Sequence, residues 1–431
     1  MSAQQHPLSI ANFRYFWLAR LASTLGQYAM LLIIGWQTYN LAREGGMSVA
    51  EASGQLALIG LLQFAPLFVL TPVSGLVADR YERKKIAQLM IGLQGLCALA
   101  LAVLTYQDVI AVWMLFVISI VLGTVRAFSG PALSALSPNL VPRAILPNAI
   151  ALSSIAHQSG NIVGPALGGL LYEVVPALPY VFAATTFTLS VVLLGFIGKV
   201  PRSQKPVSRH PIKEIHEGLV YVWQNKMVFS TITLDLFAVF LAGATALFPV
   251  YARDILQVGA TGLSQLAMAP AIGAAVTAAW FSFSPLKHNV GPKMLISVAV
   301  FGIATIVFGL SRSMPLSLVM LAIVGAADMF SVYIRQSLIQ LHTPDDKRGR
   351  VSAVSQMTIS ASNEFGDFFS GSLAYLFGPV IAVVAGGAGA ILTVAAWTGI
   401  YPVLRQTKTF DQPDHLLEEE QNNDPKARGD A

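Results

Sequence analysis

Thiol chemistry is nearly absent from this chain. Its one cysteine, Cys97, stands in an apolar run, which excludes an intrachain disulfide and leaves no thiolate metal site. Charge is scarce as well: Asp, Glu, Lys and Arg make up 11% of the residues, against about 25% in a soluble domain. No Gly-x-x-x-x-Gly-Lys-Ser/Thr string occurs, so nothing offers a P-loop for ATP. The histidines, at 6, 157, 210, 216, 288, 342 and 415, are scattered without metal-ligand spacing or a nearby nucleophile. An enzyme has little to build on here, and neither a metal nor a cofactor is expected.

Apolar residues fill the space that charge leaves. They make up 55% of the chain, and mean hydropathy is +0.63. A membrane-spanning helix needs about 20 mainly apolar residues, so 431 residues hold roughly a dozen spans and short loops. Twelve apolar runs lie near 15–41, 54–78, 85–105, 109–137, 148–172, 177–198, 227–251, 262–284, 292–311, 315–341, 351–377 and 379–404. Their internal Pro and Gly do not count against helix in a membrane. Residues 1–12 are polar, and the run after them is too long for a signal peptide, so the first span is expected to stay.

Lysine and arginine set the expected topology. With both termini cytoplasmic, inner segments hold 21 of them and outer loops three, Arg43, Arg253 and Arg312. Three more, Arg20, Arg126 and Arg335, fall inside spans. The net charge of +5 thus reports topology, and no nucleic-acid partner is implied. The pattern divides the chain into a six-helix bundle over 1–200, a cytoplasmic linker over 201–226 and a second bundle over 227–405. A polar tail over 406–431 is expected to be disordered. Within the linker, Ile212, Ile215, Leu219 and Trp223 recur at helical spacing, suited to lying on the inner leaflet.

The two halves repeat. A shift of 202 residues pairs Gly123-Thr-Val-Arg126-Ala-Phe-Ser129 with Gly325-Ala-Ala-Asp328-Met-Phe-Ser331. The same shift pairs Asn161 with Asn363, Gly164 with Gly366 and Gly169 with Gly371. Parallel repeats about an axis along the membrane normal are a transporter architecture, with substrate bound at the repeat interface. The expected fold class is an all-α membrane protein of twelve transmembrane helices in two pseudo-symmetric bundles.

Ionisable groups inside spans cost about 2.5–3.5 kcal/mol each at a helix centre, so they should face a wet cavity or pair with one another. Chief among those groups are Arg126 in span four, Asp235 in span seven, Asp328 in span ten, and Glu364 with Asp367 in span eleven. A carboxyl that leaves water can hold a proton at neutral pH. Glu364, then Asp367 and Asp328, and finally Asp235 are the candidates for proton coupling. Gln356, Ser360, Asn363, Glu364 and Asp367 form one polar stripe on span eleven. With Arg126, Gln27, Tyr28 and Asn161, the stripe residues Gln356 and Asn363 are expected at a substrate cavity. The glycines at 160, 164, 168 and 169, with Pro165, strip one face of span five as a hinge or seal requires.

Four strings carry a family resemblance. The segment Ser74-Gly-Leu-Val-Ala-Asp79-Arg80-Tyr-Glu-Arg83-Lys84-Lys85-Ile86 resembles the loop between the second and third spans of major facilitator superfamily transporters. Gly123 to Pro131 resembles that superfamily's fourth-span motif, and Gly160 to Gly169 its fifth-span antiporter signature. Ser137 to Ser153 resembles the subgroup of bacterial enterobactin exporters and macrolide efflux proteins. The resemblance implies a secondary transporter of the bacterial inner membrane, and a monomer is expected. It would export a small amphiphilic molecule, a siderophore or a drug, in exchange for protons. An importer and a non-transporting sensor on the same fold remain open. It also implies that Gly75, Asp79, Arg80 and Arg83 form a conformational latch. Asp79→Asn is expected to lower transport without abolishing folding; unaltered efflux kinetics would count against the latch.

Overall fold

A computed structural model describes residues 6–142, 145–198, 211–284, 286, 288–344 and 347–410. Its elements are helices: α1 (Ala11–Glu44), α2 (Val49–Arg80), α3 (Arg83–Tyr106), α4 (Val112–Leu136), α5 (Leu146–Val174) and α6 (Leu178–Gly195) precede the linker. After it come α7 (Pro211–Gln224), α8 (Lys226–Leu241), α9 (Phe248–Val250), α10 (Gly259–Phe283), α11 (Val290–Leu310), α12 (Met314–Leu341), α13 (Arg348–Phe377), α14 (Pro379–Ile400) and α15 (Pro402–Gln406). No strand occurs among the described residues. Twelve spans result, with α8, α9 and a π-helical turn at Tyr251–Ile255 together making the seventh.

Local chemistry sets many of the boundaries. Ser48 and Glu51 form a reciprocal capping box at the start of α2. The Asn225 side chain accepts from the Met227 and Val228 amides and starts α8. Gly378, at φ +87°, lets α13 end and α14 begin with one residue between them.

Ten of the described spans are long and apolar enough to cross a membrane on composition alone. The other two, α5 and α13, are 29 and 30 residues long but fall short on apolarity. These are the helices that carry polar residues to the centre. Large apolar side chains such as Leu89, Leu96, Val276, Ile296 and Leu392 point outward with more than half their surface exposed. That inversion of soluble-protein packing suits a lipid surround.

The repeat seen in sequence is repeated in packing. In the first half α1 packs on α5 and α6, α2 on α4, and α3 on α4 and α6. In the second, the seventh span's α8 packs on α13 and α14, α10 on α12, and α11 on α12 and α14. The halves meet where α2 crosses α13 and α5 crosses α10, again an equivalent pair. Paired glycines explain how the helices come so close. A Cβ on Gly123 would run into the Gln63 carbonyl of α2, and one on Gly325 into the Pro270 carbonyl of α10. Gly164 seats α5 on α1, where a Cβ would sit 2.9 Å from the Leu25 oxygen. Its counterpart Gly366 seats α13 on α8, 3.0 Å from the Val239 oxygen. Gly169 and Gly371 instead cross to the other half, against Ser264 of α10 and Ala57 of α2.

Three features depart from expectation. The seventh span is not one helix: α8 stops at Leu241, and a short 3-10 turn at Thr245–Leu247 precedes α9. Pro249 there lacks the N–H that would bond the Thr245 carbonyl. Gly243 lets α13 press in, since a Cβ there would lie 2.9 Å from the Gly366 carbonyl carbon. Second, α7, helical as its spacing predicts, docks on the second half. Tyr221 donates to the His342 carbonyl at 2.6 Å, and Arg350 pairs with Glu217 at 2.8 Å. Leu219 and Trp223 stay exposed on another face, free to meet lipid. Third, order continues past 406, because Val290 and Gly291 donate their amides to the Lys408 and Thr407 carbonyls. Residues 201–210 and 411–431, and Arg143, lie outside the described residues.

Gly123→Val and Gly325→Val should each wedge a tight helix pair apart, at a cost of about 1–3 kcal/mol or more. Gly399→Val, with no neighbouring atom within 4 Å, should be harmless. Thermal unfolding of the purified variants separates the two outcomes.

Candidate functional site

A cavity of about 560 Å³ lies between the halves, within the range of small-molecule sites, about 300–1,000 Å³. From the first half Tyr28, Gln63, Arg126, Asn161 and Pro165 line it. Thr245, Asp328, Glu364 and Asp367 face them from the second, and most of the remaining wall is aliphatic. The break in the seventh span delivers Thr245, Ala246, Phe248 and Pro249 to this wall. Irregular backbone at membrane depth is tolerated where it lines a cavity.

Within the cavity, an ion pair bridges the halves. Arg126 Nη2 donates to Glu364 Oε1 at 2.7 Å, and Nη1 reaches the Gln63 side-chain oxygen at 3.4 Å. Both members of the pair are largely shielded, with side chains 26% and 16% exposed. One turn along α13, Asp367 accepts from the Thr245 hydroxyl at 2.7 Å and from the Ala246 amide. Asp328 borders both this cavity and a small side pocket behind α12, and among the described residues it has no hydrogen-bond or ion-pair partner. Tyr28 and His157 stand edge to face, their OH and Nε2 3.4 Å apart.

The expected residues divide accordingly. Arg126, Tyr28, Asn161, Asp328, Glu364 and Asp367 converge on the cavity. Gln27 is next to Tyr28 on α1 but does not line it. Gln356 and Asn363 share the stripe of α13 and are exposed outside the cavity. Asp235 is not a cavity group. It forms a buried ion pair with Arg335 inside the second half, with side chains 8% and 3% exposed. Gly160, Gly164 and Gly168 seat α5 on α1, and Gly169 seats it on α10.

Of the latch residues, Gly75 and Asp79 with Arg80 fall in the last turns of α2. The side chains of Asp79 and Arg80 lie outside the described residues. Arg83 donates to the Ala135 carbonyl at the end of α4, 3.1 Å away. Lys84 donates to the Gly195 and Ile197 carbonyls at the end of α6. Both cations thus stand at helix C-termini, where the dipole favours them. Gln63, Thr245 and Arg335 were not singled out from sequence. Arg335 offered the one usable signal, a cation in an apolar run with no partner assigned. Among the described residues, no three His, Cys, Asp or Glu side chains converge as a metal site.

Known proteins share the family and the fold. A model of the family described as transmembrane secretion effector matches residues 2–426. Enterobactin exporters EntS of Escherichia coli O1:K1 and Shigella boydii serotype 18 are each 28% identical over 352 residues, 80% of this chain and 82% of theirs. Among solved structures, the nucleoside transporter NupG superposes with a TM-score of 0.70 at 12% identity, over 90% of this chain and 99% of its own. A D-xylose-proton symporter does so at 0.69 and 12%, over 89% and 96%.

Removing one member of a buried ion pair costs about 3–5 kcal/mol, while replacing both by apolar groups is often near neutral. Arg335→Met should therefore lower the unfolding midpoint sharply, and Arg335→Met with Asp235→Leu should recover it. Recovered stability with retained transport would mark this pair as structural.

Proposed function

The chain belongs to the transmembrane secretion effector family of major facilitator transporters, and on that footing we propose that it is a proton-coupled exporter of a small amphiphilic molecule. The observation that carries this reading is the Arg126–Glu364 ion pair, which ties the two halves together inside a cavity of substrate size. Two bodies joined by a breakable charge pair can rock about the site between them, as alternating access requires.

In this reading 1–200 and 227–405 are the rocking bodies, and both termini face the cytoplasm of a bacterial inner membrane. The ends of α5 and α13 that meet the opposite half then lie outside. One apolar cluster, built around Tyr39, Leu247 and Tyr251, draws on both halves at that end. The other clusters stay within one half each. The molecule is accordingly closed outside and opens inward. A proton reaching Glu364 cancels its charge and frees Arg126, and re-forming the pair expels that proton. The protein works as a monomer, each chain supplying both halves of its site.

Charge supports a substrate class. Asp328, Glu364 and Asp367 outnumber the single guanidinium of Arg126, which is already paired. A cationic or neutral amphiphile fits that balance better than an anion. The relatives named as enterobactin exporters support outward direction and keep siderophores among the candidates.

Everted vesicles with an acid interior test the reading. We expect wild-type vesicles to accumulate either a cationic dye such as ethidium or a catechol siderophore, and Glu364→Gln vesicles to fall to background. Full proton-driven accumulation by Glu364→Gln would remove Glu364 from the coupling step. Movement of solute in the opposite direction would make the protein an importer.

A further inference from the structure

A second polar constellation joins the halves, away from the cavity, at the end where α1 and the seventh span finish. An Arg-acid dipeptide closes each of these spans: Arg43-Glu44 in α1, and Arg253-Asp254 in the π-helical turn. Each arginine turns to the acid of the other half. Arg43 Nη2 lies 3.2 Å from Asp254 Oδ1, and Arg253 Nη1 lies 3.7 Å from Glu44 Oε1. A surface that meets its own copy across a two-fold axis has this reciprocity, residue i touching j and j touching i. Here the crossed pairing occurs within one chain, between the ends of the first and seventh spans.

The ion pairs are braced from both sides. Tyr39, fully buried, donates to Asp254 at 2.5 Å. Arg43 also donates to the Met47 carbonyl at 2.6 Å, which holds its guanidinium toward the seventh span. Arg253 donates to the Asn40 main-chain carbonyl at 3.1 Å and to the Asn40 side chain. Cations at the C-terminal end of α1 also complement its dipole. Nearby, Glu173 at the end of α5 accepts from the Ala260 and Thr261 amides in the first turn of α10, at 3.1 and 3.3 Å. That is a third tie between the halves at the same end. An isolated exposed ion pair stabilises little. Arg43, Arg253 and Asp254 are largely shielded while Glu44 is 65% exposed, and Asp254 takes both Arg43 and the buried phenol of Tyr39, so the Arg43–Asp254 pair is the firmer of the two. Two of the three basic residues expected outside the membrane are used in these pairs.

We propose that the crossed pairs Arg43–Asp254 and Arg253–Glu44 form an outer gate, which holds the outer ends together while the cavity is open inward and must part before substrate leaves. The proposal rests on the alternating-access reading above and adds to it the groups that set the balance between the two states.

The test needs no substrate. In a Cys97→Ser background, spin labels at Val109→Cys and Arg312→Cys report the separation of outer loops, one in each half, in lipid nanodiscs. Arg43→Asp and Asp254→Arg should each shift the distance distribution toward longer values, and the double exchange should restore the wild-type distribution. Glu44→Arg with Arg253→Glu repeats the comparison on the second pair. If a reversed charge prevents folding, Arg43→Gln and Asp254→Asn carry the same comparison. Single variants that match wild type, or an exchanged pair that stays with the singles, would overturn the gate alone. A wild type that keeps one distance even with Glu364→Gln would count against alternating access itself.

Discussion

A charge at bilayer depth must find a partner or water, and this requirement organises the molecule. Lipid offers neither, so ionised side chains turn toward the interior of the bundles. Arg335 and Asp235 meet that demand privately, inside one half, and behave as a packed polar plug. Arg126 and Glu364 meet it across the seam between halves, so their satisfaction depends on how the halves are arranged. The same chemistry thus yields a pair within one half in one place and a pair between the halves in the other.

Small residues provide the complementary constraint. Apolar burial does not drive helices together in lipid, so close approach depends on removing side chains. Gly164 and Gly366 fasten each inner helix to the first span of its own half, whereas Gly169 and Gly371 carry the contacts between halves. Two glycines five residues apart on one helix therefore divide the labour between holding a bundle together and closing it against its twin. Glu173, placed just beyond Gly169, extends this seam to the helix start of α10.

Much of this was legible in the chain. Twelve apolar runs, the 202-residue repeat and the glycine pairs follow from composition and periodicity, and in the structure the paired glycines fall at close helix contacts. Tyr28, Arg126, Asn161, Asp328, Glu364 and Asp367 reached the cavity because polar groups in apolar runs have few other places to go. Asp235 failed the same reasoning, since a partner such as Arg335 is an equally good refuge. Gln356 and Asn363 failed for another reason. A stripe identifies the face of a helix but not how far along it the neighbouring half closes the space. The broken seventh span was missed because Gly243 and Pro249 are tolerated in continuous membrane helices too.

The sequence by itself determined which segments enter the membrane, that the chain is a duplicated bundle, and which ionisable groups are forced inward. These are transfer energies and periodicities, read from neighbours along the chain. Only the tertiary structure decided that Arg126 meets Glu364, that Arg335 claims Asp235, and that Arg43 and Arg253 exchange acids between the halves. Each of those choices depends on helix rotation and depth, which packing between distant segments sets and no local pattern encodes.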